Sequence, residues 1–148
     1  MNALTMNDAF QSYAICTAIL VIKMFASATW TGVQRSRSQG YVNPEDAAMV
    51  GKPGTEAAAS EKPEVARALR IQRNDLENIP AFFAIGLVYV LSGASGFGAA
   101  AYCWTFTVAR VGHTVAYMRE MQPARSLLFG LGLLANLGMA VNVLWKSL

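Results

Sequence analysis

Long apolar runs separated by short polar interruptions dominate the chain, and none of them alternates apolar and polar residues with a period of two. The first run covers residues 10–32 and is broken only by Lys23. A second segment, 63–91, is polar in its first half and apolar from Ile79 to Leu91. The third, 97–118, carries Arg110 and His113, and the fourth covers 124–145. Each apolar length is close to the roughly 20 helical residues needed to cross about 30 Å of hydrocarbon. Without strict alternation, helices are expected and not a barrel. The pattern predicts an all-α fold: a four-transmembrane-helix bundle, polytopic, built by residues 1–148 as a single membrane domain. Residues 34–62 form a polar linker with breakers and room for one short helix. SGASGFG reads as a tight uncharged turn, and Pro123 suits the first turn of the last helix. Pro80 removes one backbone hydrogen bond from the second span.

Composition agrees with this pattern. Hydrophobic residues make up 54% of the 148 positions and charged residues 14%, where a soluble domain carries about 25% charged. The net charge of +3 is not spread as a basic stripe mixed with aromatics, which excludes a nucleic-acid surface. It reads as topology. Arg35, Arg37, Lys52, Lys62, Arg67, Arg70, Arg73, Arg119 and Arg125 gather at one end of the expected bundle, while Lys146 stands at the other. The positive-inside rule puts the basic end in the cytosol and both termini across the membrane. The start, MNALTMND, has no basic region and no small-residue cleavage site, so the first span is expected to be a retained helix. Cys16 and Cys103 lie within apolar runs and read as small apolar fillers, not as a disulfide framework.

Candidate chemistry concentrates where the second span begins. At about 100° per residue, Arg67, Arg70, Arg73, Asn74 and Glu77 share a sector about 120° wide, with Asp75 just outside it. Arg110, His113 and Tyr117 recur on one face of the third span, and the fourth opens with Arg125 and Ser126. Charges in a membrane helix are costly and mark a wet or ligand-filled interior. In one reading Arg70 or Arg110 pairs with Glu77 and pins the helices. In the other, the surplus of cations holds an anionic, zwitterionic or peptidic ligand, with guanidinium forks on carboxylates and Glu77 on an amino group. Lys23, alone in its span, is expected to snorkel or to pair inside the bundle. His113 has no Ser or Cys at helical spacing, so a hydrolase triad is unsupported. No convergent ligands call for a metal, and no glycine-rich loop calls for a nucleotide. The stretches 91–102 and 137–145 are nearly uncharged, which argues against a transport pathway.

RIQRNDLENIPAF, NPEDAAMVGK, RVGHTVAYM, LVIKMFASA and PARS together resemble the membrane-associated proteins in eicosanoid and glutathione metabolism, in family order and over most of the chain. The likeness is greatest to the branch holding microsomal glutathione transferases and prostaglandin E synthases. It implies a homotrimer of four-helix subunits that binds glutathione near the cytosolic end, between neighbouring subunits. Carried over, glutathione would be held by Arg35, Arg70, Arg73, Asn74, His113 and Tyr117, with Glu77 on its ammonium. Arg125 would face the sulfur with Ser126 beside it and Asp46 as partner of Arg125, while Arg67 and Arg110 match positions that can be structural. The implied activity is a membrane-bound glutathione transferase or peroxidase, activating the thiolate for attack on lipophilic electrophiles or lipid hydroperoxides. A prostaglandin E synthase-type isomerase and a non-catalytic lipid-binding membrane protein are the alternatives. Phe129, Gly130 and Leu133 stand where the synthases tend to have polar groups, and NDLENI and GLVYVLSG lean toward the transferase, whereas VGHTVAY leans toward the synthase. The expected location is a multi-pass membrane protein of the endoplasmic reticulum in a eukaryote, or of the inner membrane in a bacterium, with its site facing the cytosol.

Overall fold

The computed structural model describes residues 7–148, and all of its regular structure is helical. Residues 1–6, on which the expectation of a retained first span partly rests, lie outside the described residues. The order is α1 (Asp8–Ser38), α2 (Pro44–Val50), α3 (Pro63–Leu91), α4 (Gly96–Met118) and α5 (Gln122–Ser147).

α1 differs from expectation in running six residues beyond Gly32. Nothing crowds Gly32, and Arg35 and Arg37 in the last turn complement the negative end of the helix dipole. The helix stops at a Schellman turn: Gln39 takes the left-handed conformation (φ 50°), and Gly40 N–H donates to the Arg35 carbonyl at 3.2 Å. α4 ends by the same device, with Glu120 at φ 60° and Met121 N–H donating to the Ala116 carbonyl at 2.9 Å. Pro123 then lies in the first turn of α5, where a missing N–H costs nothing. At its other end α4 is capped by Ser95, whose Oγ accepts from Gly98 N–H at 3.1 Å.

α1 and α5 are long and apolar enough to cross a membrane. α3 and α4 do not meet that measure. The first half of α3 is crowded with charge, and α4 is rich in Ala, Gly, Thr and aromatic residues instead of Leu and Ile.

The chain divides into two compact units. One comprises the residues up to Lys23 together with Asp75–Leu148. Its core is aromatic and aliphatic. Phe82 and Phe106 stack at 4.5 Å between centroids, Tyr13 leans on Phe82, and the Tyr13 hydroxyl donates to the Phe83 carbonyl at 2.8 Å. Leu20, Ile79, Cys16, Cys103 and Met139 are fully buried around them. Gly132 lets α5 close onto α4, since a Cβ there would stand 3.3 Å from Arg110 Cδ. The second unit, Met24–Asn74, contains the end of α1, α2, the loop after it and the start of α3. It is held by buried Tyr41, Ala47, Val65, Ala68 and Ile71, and by the Thr31 hydroxyl donating to Gln72 at 3.3 Å.

Beside this apolar core, burial departs from that of a soluble protein in two ways. Ser27, Thr31, Asp75, Thr107, Arg110 and His113 are buried, while Ile22, Phe25, Val108, Leu127, Leu134, Val141 and Trp145 are exposed. Soluble proteins bury charge rarely and avoid broad exposed apolar surfaces. Helices set in hydrocarbon do both.

Candidate functional site

α4 and α5 build the centre of the first unit's polar cluster. The reversal at Glu120 folds the start of α5 back against the end of α4, and the Arg125 guanidinium lies 4.5 Å from the centroid of the Tyr117 ring. A guanidinium over an aromatic face is held in place while its N–H groups remain open to an anion. One turn earlier on α4 is His113, with its ring centroid 5.9 Å from that of Tyr117 and 6.2 Å from that of Phe129. His113 is only 5% exposed, and both its ring nitrogens lack a hydrogen-bond partner. An unsatisfied buried polar atom costs about 1–3 kcal/mol. Arg125 is half-buried and Ser126 exposed.

Beneath His113, three helices meet in a charged contact. Lys23 of α1 pairs with Asp75 Oδ1 of α3, and Arg110 Nη2 of α4 lies 3.9 Å from the same oxygen. The Lys23, Asp75 and Arg110 side chains are 10%, 2% and 1% exposed. Lys23 therefore pairs inside the helices instead of snorkelling. Asp75, which lies outside the stripe on α3, is the buried acid. Its angular offset from that stripe, together with a lone Lys in the preceding span, is the signal of this in the sequence. On α3 the stripe itself faces outward: Arg70, Arg73 and Glu77 are exposed and Asn74 is half-buried.

In the second unit, Arg35 Nη2 donates to Glu61 Oε1 at 2.7 Å. Asp46 is on α2, where its Oδ2 accepts from the Asn43 amide at 3.1 Å. The implied site residues are thus divided between the two units. Arg35, Asp46, Arg70, Arg73 and Asn74 fall in one, and Glu77, His113, Tyr117, Arg125 and Ser126 in the other. Within the latter, His113, Tyr117 and Arg125 form a continuous row.

The model of the MAPEG family matches residues 13–145. The chain belongs to the MAPEG family. It is 39% identical to prostaglandin E synthase of Homo sapiens, over 95% of this chain and 91% of the relative. It is 37% identical to microsomal glutathione S-transferase 1 of Bos taurus, over 100% of this chain and 97% of the relative. The prostaglandin E synthase of Mus musculus is 38% identical over 91% of this chain and 87% of the relative. As a MAPEG protein with two helices fit to cross a bilayer, it is an integral membrane protein.

Proposed function

We propose that this protein is a membrane-bound glutathione transferase or peroxidase acting on lipophilic electrophiles or lipid hydroperoxides. The observation that carries the reading is the row of His113, Tyr117 and Arg125: a buried imidazole with two open nitrogens beside a guanidinium that lies over a phenol ring. Donors of this kind suit an anionic peptide. The names of the bovine and human relatives support the same chemistry.

Bound glutathione supplies the sulfur nucleophile. Arg35, Arg70, Arg73, Asn74, His113 and Tyr117 would hold its carboxylates and amide, and Glu77 its ammonium. Arg125, with Asp46 as its partner and the Ser126 hydroxyl beside it, would stabilise the sulfur as thiolate. A free thiol of this kind has a pKa of about 8.5, and lowering it by about two units takes about 2.7 kcal/mol of preferential stabilisation. A guanidinium in a water-poor site near a helix N-terminus supplies stabilisation of that order. In the proposed assembly residues 1–148 form one four-span domain, and three such chains form a homotrimer. The exposed Arg70, Arg73 and Glu77 would then meet a neighbouring subunit at the cytosolic end. The hydrophobic second substrate would arrive from the surrounding lipid.

A prostaglandin E synthase-type isomerase is the second reading, favoured by the 39% identity to the human protein of that name. Purified protein in detergent, titrated with glutathione at several pH values while thiolate absorbance is followed, tests both readings. Absence of thiolate and of turnover with a chlorinated nitroaromatic would refute the transferase. Conversion of an endoperoxide without transfer would select the isomerase.

A further inference from the structure

The loop between α2 and α3 is tied to the end of α1 at three successive points. Lys52 N–H and the Thr55 hydroxyl donate to Gln39 Oε1 at 2.8 and 3.3 Å, and Ala58 N–H donates to the Tyr41 carbonyl at 2.7 Å. The third tie is the ion pair of Arg35 with Glu61, two residues before α3 begins. It is a half-made pair. Arg35 Nη2 meets Glu61 Oε1 at 2.7 Å, yet Arg35 Nε and Glu61 Oε2 are both buried without a hydrogen-bond partner. A guanidinium edge can hold a carboxylate by two parallel bonds, and here only one is formed.

We propose that Glu61 is an internal stand-in for a ligand carboxylate at Arg35, and that it sets the affinity for glutathione by competing for the Nε–Nη2 edge of that guanidinium. The inference rests on the glutathione reading above. A ligand carboxylate that takes both positions replaces one hydrogen bond by two, so displacement is favourable. Arg35 and Glu61 side chains are 33% and 24% exposed, so the pair lies at the surface; a ligand reaches the buried Nε as Glu61 leaves, and the released carboxylate recovers water. Glu61 belongs to the loop and not to a helix, so its displacement disturbs no helical hydrogen bond. Glu61 is therefore a specificity-determining residue that touches Arg35 and not the reacting sulfur. Partly exposed pairs are weak, which fixes the scale of the effect at roughly two- to five-fold in dissociation constant.

A double-mutant cycle tests this. The full chain in detergent, as wild type, Glu61→Gln, Arg35→Ala and the double variant, is titrated with glutathione by calorimetry. Glu61→Gln is expected to bind roughly two- to five-fold more tightly. Its KM for glutathione should fall in step while kcat at saturating glutathione stays unchanged. On the Arg35→Ala background the same change is expected to do nothing. Glu61→Ala should shift affinity in the same direction as Glu61→Gln, and opposite signs for the two overturn the proposal. It is also overturned if removal of the carboxylate leaves affinity unchanged or weakens it, or if the gain persists without Arg35. Wild-type protein that fails to bind glutathione at all overturns the glutathione reading and this inference together. Binding without the gain overturns this inference alone.

Discussion

The Arg125 guanidinium carbon lies over the Tyr117 ring, 4.5 Å from its centroid, because the left-handed turn at Glu120 returns the chain onto itself between them. Contacts of this type are worth about 0.5–2 kcal/mol. Tyr117→Ala should therefore lower kcat of the proposed transferase by several-fold, whereas Tyr117→Phe keeps the ring and should keep kcat. If the hydroxyl also binds glutathione, Tyr117→Phe raises KM. Steady-state kinetics with glutathione varied separates the two roles of this one side chain.

Arg125 itself should matter more than the ring beneath it. Arg125→Ala is expected to reduce turnover by about 100-fold, the equivalent of the two pKa units by which it is proposed to lower the thiol. Calorimetry should still show glutathione binding. Normal turnover in this variant would remove Arg125 from the mechanism.

His113 gives a stability–function trade-off. Its two buried nitrogens lack partners, so His113→Leu removes an unsatisfied group with little change of volume. The variant should gain about 1 kcal/mol of stability. It should bind glutathione at least about ten-fold more weakly, since hydrogen bonds to charged groups are worth about 1.5–3 kcal/mol. Thermal unfolding in detergent and calorimetry on the same preparation check both signs.

Asp75 joins Lys23 and Arg110 in a contact between three helices. Asp75→Asn leaves two buried cations facing a neutral amide and should cost about 3–5 kcal/mol. Unfolding by thermal scan should show a large drop. If stability changes little, the contact does not tie the three helices.

Gly86 packs against the Tyr13 ring, where a Cβ would come within 2.9 Å. That ring cannot swing away freely, because its hydroxyl is bonded to the Phe83 carbonyl. Gly86→Ala should destabilise by about 1–3 kcal/mol, read by the same thermal scan.

The helical, membrane-type character of the chain is legible in its residues, because apolar length and helical period are local properties. The glutathione-enzyme reading rests on ordered motifs such as NPED and RNDLEN, which survive in sequence whatever the packing. Less is legible about partners. Helical spacing offers Glu77 as a partner for Arg110 and leaves Asp75 off the stripe, yet Arg110 and Lys23 both approach Asp75 Oδ1. Glu61 gives no signal at all, since a carboxylate in a polar loop looks solvated until the loop is seen tied to α1.

Which residues share a helix face follows from their order along the chain, because about 100° of turn per residue is fixed by backbone hydrogen bonding. Which face is buried and which cation meets which acid follow from the packed fold instead. Those choices depend on how each helix is rotated against its neighbours. Within the first unit, rotation is set jointly by the Phe82–Phe106 stack, the close approach at Gly132 and the turn at Glu120. No single segment contains that information.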